Sequence, residues 1–199
     1  MKKELNYFRI GQSYGGCQDW FPDFFMRMGG CAAVAACESC IYFEQYRGIK
    51  GLYPYDSLTK RDYINFSAVM KPYLKPRMSG IDTLELYIDG FAKYLSDRGN
   101  RNIVMEPFYG KQPIERAREV LKQQIDAEFP IPYLMLHHKN RTFKYYDWHW
   151  FMITGYESFE DTCMVKAVTY GDFRWLDFNE LWNTGYERKG GMIIYKIKV

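Results

Sequence analysis

Gly29-Gly30-Cys31-Ala32-Ala33-Val34-Ala35-Ala36-Cys37-Glu38-Ser39-Cys40-Ile41-Tyr42-Phe43 is the stretch on which the fold of this 199-residue chain turns. Its alanines are strong helix formers, the paired glycines permit a tight lead-in turn, and Gly48 closes the run, so it reads as a helix with Cys31 in its first turn. A thiol there faces unpaired amides and the positive end of the helix dipole, and both favour the thiolate. The small Ala32 and Ala33 leave it uncrowded, and its own N–H can donate to an oxyanion. Cys31 is therefore the candidate nucleophile, with a small buried core residue as the plainer alternative.

Outward from that helix, residues 59–71 predict a short helix before Pro72 and Pro76, residues 81–97 a second closed by Gly99, and residues 113–128 the clearest amphipathic one. The later text reads as strands at 131–138, 148–157, 163–171, 173–178 and 191–199, parted by polar or glycine-bearing turns. A helical first half and an antiparallel sheet from the second half make the fold class α+β, with 1–199 as one domain and no internal repeat.

The balance of 27 basic and 24 acidic residues, net +3 and interspersed, gives no support for nucleic acid. No apolar run approaches a membrane span and the first residues lack a signal-peptide core, so the expected location is cytoplasmic. Five cysteines, four of them crowded between Cys17 and Cys40, do not suggest a disulfide framework there. Cys37 and Cys40 form a CxxC, but it lies in a helix body and lacks two further ligands, so core packing is expected and neither metal nor cofactor is implied. The 18 Tyr and 14 Phe can fill a core or line a substrate groove equally well.

A cysteine nucleophile needs a base, and the chain has only His137, His138 and His149. His137 and His138 end a strand before a polar loop, which suits structural roles. In Trp148-His149-Trp150-Phe151-Met152-Ile153-Thr154-Gly155-Tyr156, strand alternation puts His149 beside Phe151 and Ile153, as either a satisfied core residue or a poised base.

Taken together, GGCAAVAACESCIYF, then HWFMITGYE with its histidine 118 residues on (149 minus 31), then VKAVTYGDFRWLDFNELW, resembles the papain-like cysteine peptidases, most of all the bacterial C39-type branch. The likeness covers 12–46 and 146–182, about a third of the chain. It implies a papain-like fold and a thiol hydrolase acting on a peptide or small amide through Cys31 and His149. It also implies an oxyanion-hole glutamine upstream, Gln18 or Gln12, of which Gln18 is preferred. The family's third residue, an Asp or Asn that orients the imidazole, is the point of departure. Aligning Thr169-Tyr170-Gly171 on the family pattern puts Val168 at its place, and the nearest carboxylate is Asp172. An acyltransferase built on the same dyad, or a non-catalytic papain-like binding module, are the other readings.

Overall fold

The computed structural model describes residues 1–198. It is an α+β protein in which helices pack on one mixed-length antiparallel sheet. Strand β1 (Lys2–Glu4) and the small hairpin β2 (Arg9–Ile10) and β3 (Ser13–Tyr14) lead to α1 (Phe24–Gly29), α2 (Cys31–Tyr46), α3 (Lys60–Met70) and α4 (Leu84–Asp97). After them come β4 (Ile103–Tyr109), α5 (Ile114–Asp126), β5 (Ile131–Met135), β6 (His149–Phe159), β7 (Thr162–Thr169), β8 (Asp172–Asp177), α6 (Phe178–Trp182) and β9 (Gly191–Ile197). The order in the seven-stranded sheet is β4-β9-β5-β6-β7-β8, and β1 pairs with β6 where β5 stops. No helix among the described residues is long and apolar enough to cross a membrane.

Each expected helix is present, trimmed by its caps. Thr59 and Asp62 form a reciprocal capping box at α3, and Thr83 caps α4, so that helix begins at Leu84 rather than at 81. α2 ends where Gly48 takes a left-handed φ of +67°. Several elements depart from the sequence reading: β1 to β3 and α1 fall in a stretch read only as a Gly-rich opening, and β1 adds a strand from the first half to the sheet. Strand β4 falls in a segment to which the sequence reading assigns no element; its Pro107 is accommodated because the strand lies at the sheet edge, where a missing N–H is tolerated, and it pairs with β9. Residues 141–146 form 3-10 turns and 178–182 form α6, so the second half is not all sheet. Val199, at the end of the last expected strand, lies outside the described residues.

The core is aromatic. Tyr87 of α4 stacks on Trp150 of β6 at 4.6 Å, Phe43 of α2 meets Tyr195 of β9 edge-on at 4.9 Å, and Tyr133 of β5 stacks on Phe151 at 5.0 Å before touching Trp182 of α6. Tyr195 also donates to Ser39 Oγ at 2.9 Å, which locks α2 to the sheet. Where β9 leaves β5, the side chain of Gln124 takes over as a strand neighbour, accepting from Tyr195 N at 2.9 Å and donating to Tyr195 O at 3.1 Å. These contacts hold α2, α4 and α5 against the sheet, and α2 also packs directly on β6.

Candidate active site

Gly30 makes the junction that sets Cys31 at the head of a 16-residue helix. Asp23 caps α1, and the chain then turns directly from α1 into α2 through Gly30, whose N–H bonds Met26 O at 2.8 Å. A Cβ on Gly30 would lie 2.3 Å from that same oxygen, so the residue is glycine because the backbone approaches too closely for anything else.

The thiol of Cys31 is buried, 9% exposed. Burial raises its pKa, against the pull of three main-chain amides that face the sulfur, those of Trp150, Ala32 and Cys31 itself. The Trp150 N–H belongs to the peptide that follows His149, which sets thiol and imidazole in one neighbourhood, although no hydrogen bond joins the two side chains among the described residues. Cys31 and His149, paired on sequence grounds, are thus brought together.

His149 opens β6 immediately after Trp148, a non-glycine residue with φ +56°. It is 5% exposed, and burial lowers its pKa to about 4. Its Nε2 lies 2.7 Å from Thr169 Oγ1, and the ring of Tyr170 stacks on it at 4.8 Å and 2°. With Nε2 engaged, Nδ1 is the ring nitrogen without a hydrogen bond among the described residues. Tyr170 is itself in the left-handed region, at φ +52°, and with Gly171 at +76° forms the two-residue turn that joins β7 to β8. Its phenol is raised by burial first and next by the charge of Cys31, which places it within electrostatic reach of the sulfur.

The side chain bonded to His149 Nε2 is thus Thr169, where the sequence pointed to Asp172. Asp172 is exposed, accepts a bond from Phe173 N at 2.8 Å, and has no hydrogen bond to His149 among the described residues. Val168 sits opposite Met152 and so shares the face of Met152, not that of His149 and Phe151; one residue further on, Thr169 falls on the histidine's face. A fixed-spacing alignment cannot see this, because face is decided by register.

Gln18 lies in a one-turn 3-10 helix (Gln18–Trp20) and is buried; its Nε2 donates to Arg27 O of α1 at 3.1 Å, which ties it to the helix that leads into α2. Gln12 sits at the exposed tip of the β2–β3 hairpin and is not part of the site.

The loop that carries Gln18 is clamped by a residue the sequence did not flag. Glu38, on α2 and 1% exposed, accepts from Gly16 N and from Tyr7 Oη, each at 2.7 Å. Burial raises its carboxyl to about 7. A buried acid in an Ala-rich helix is the one signal that could have marked it.

The remaining candidates are structural. His137 packs on Trp148 with ring centroids 4.8 Å apart and the planes tilted by 38°, and His138 Nε2 lies 2.9 Å from Glu180 O. Cys37 and Cys40 are fully buried, all five cysteines are free, and no cluster of His, Cys, Asp or Glu among the described residues can hold a metal. Comparison with protein-family models, with characterised proteins and with solved structures finds no match for this chain.

Proposed function

We propose that this chain is a cysteine hydrolase of papain-like fold, related to the C39-type peptidases, that cleaves a peptide or small amide bond. The observation that carries the reading is the sulfur of Cys31, at a helix N-terminus, held against the His149–Trp150 peptide while Thr169 occupies His149 Nε2. As the sulfur bonds to the substrate carbonyl carbon, its proton passes to His149 Nδ1. The carbonyl oxygen, now an anion, takes the Cys31 N–H and the second amide hydrogen of Gln18. Collapse expels the amine, which leaves with the proton from His149, and water then hydrolyses the thioester with His149 as base. An amine in place of water would make the same site an acyltransferase.

Both partners are uncharged at neutral pH, because burial lifts the thiol and depresses the imidazole with no carboxylate hydrogen-bonded to the ring. The base thus acts during attack rather than by holding a preformed thiolate. The same neutrality favours the second reading, a non-catalytic binding module. The five free cysteines fit a reducing compartment such as the cytoplasm.

Acylation by p-nitrophenyl acetate, followed by intact mass and peptide mapping, separates the readings. The expected result is a single acetyl group on Cys31 that turns over in the wild type and is absent in His149→Ala. Labelling spread over Cys17 and Cys163 at the rate of Cys31 would leave the binding module as the function.

A further inference from the structure

We propose that α1 and the segment 75–78 beside it form a docking surface for an anionic lipid bilayer. The proposal is independent of the hydrolase reading. α1 carries Phe24, Phe25 and Met28 on one stripe, at helical spacing, while Met26 on the opposite side is buried at 1% exposure. The three are 60%, 67% and 69% exposed, and Met78 stands fully in solvent. The two pieces adjoin: a Cβ on Gly29 would lie 3.5 Å from Pro76 Cβ. Apolar side chains of this size gathered in one place are not ordinary surface scatter.

Charge and shape select the partner. Arg27, Lys75 and Arg77 are exposed around the apolar residues and form no ion pair among the described residues. The acid that caps α1, Asp23, is neutralised by Lys71, and a further cation, Lys60, sits over the ring of Trp20. The surface is therefore basic and suits an anionic partner. It is also convex: side chains more than half exposed project outward, whereas a peptide groove half-buries its lining. Projecting aromatic and methionine side chains ringed by Arg and Lys match an interface that yields around them, with rings at headgroup depth and cations on lipid phosphates.

Co-sedimentation of the full chain with vesicles of phosphatidylcholine alone, and of phosphatidylcholine mixed with phosphatidylglycerol, tests this. Binding is expected only to the mixed vesicles and should weaken as salt rises. Phe24→Ser/Phe25→Ser and Arg27→Gln/Lys75→Gln/Arg77→Gln should each weaken it about tenfold or more. Phe159→Ser, at an exposed phenylalanine at the end of β6, should leave it unchanged. All substituted positions are on the surface, and circular dichroism confirms that each variant is folded. The absence of binding to mixed vesicles, or equal binding by every variant, would overturn the proposal. So would a concentration-dependent dimer in lipid-free solution that Phe24→Ser/Phe25→Ser abolishes, since the face would then belong to a second copy of this chain.

Discussion

His149 Nε2 and Thr169 Oγ1 lie 2.7 Å apart, on adjacent strands and on the same face of the sheet. The pair holds the imidazole in place with a neutral partner, so the ring is oriented but its protonated form gains no countercharge. In this respect the site differs from one built around an Asp, and several consequences can be measured.

Replacing the neutral partner by a charged one should change how His149 titrates. In the wild type the ring protonates near pH 4. Thr169→Asp puts a carboxylate in contact with it and should raise that value by about one unit or more, read from histidine ring shifts by NMR. Thr169→Val leaves a buried ring nitrogen unpaired, with an expected cost of about 1–3 kcal/mol in urea unfolding and about a tenfold or greater loss in Cys31 acylation. Asp172→Ala should change neither; a loss of acylation in that variant would restore Asp172 to the site.

Alkylation of Cys31 should show no low-pH shoulder. The thiol titrates above its ordinary value of 9.0 and the imidazole well below its own, so no pH exists at which thiolate and imidazolium dominate together. Iodoacetamide rates, with the modified residue mapped by mass spectrometry, should rise only on approaching that alkaline range. A plateau between about pH 5 and about pH 8 would mean a preformed ion pair. Thr169→Asp should move the profile toward such a plateau.

Glu38 and His149 pull the pH dependence of stability in opposite directions. Burial raises the Glu38 carboxyl from 4.5 to about 7, so its contribution is complete below 4.5 and is lost as pH climbs through 7. Burial lowers His149 from 6.5 to about 4, so its contribution is complete above 6.5 and is lost as pH falls through 4. Each range spans about 3 kcal/mol. Glu38→Gln cannot ionise, and its urea midpoint should improve relative to the wild type between about pH 5 and about pH 8. A difference that stays flat over that interval would show that Glu38 does not titrate there.

Gly16→Ala should disturb the loop that positions Gln18. The added Cβ would lie 2.0 Å from the Tyr63 ring, which is itself fully buried, and the Gly16 backbone cannot back away without straining its bond to Glu38. An overpacking cost of about 1–3 kcal/mol is expected by thermal melting, together with slower acylation of Cys31. Gly11→Ala, at a position where an added Cβ meets nothing within 4 Å, serves as the comparison; its φ of +62° makes any loss one of backbone strain alone.

The sequence by itself determined what depends on neighbours along the chain. Alanine content, the Gly29-Gly30 lead-in and Gly48 specify α2 and put Cys31 at its head, because helix propensity and capping are local. Scarcity did the rest for His149, since only three histidines exist and alternation leaves one among apolar neighbours. The tertiary structure decided what depends on pairing between distant segments. β4 is legible only once β9 lies beside it; Thr169 rather than Val168 or Asp172 faces the histidine because the β6–β7 register sets the parity; and Glu38 finds Gly16 only when the N-terminal loop folds over α2. Register and loop closure are long-range constraints that local spacing does not encode, and this is why Cys31 and His149 could be singled out from the sequence while Thr169 and Glu38 could not.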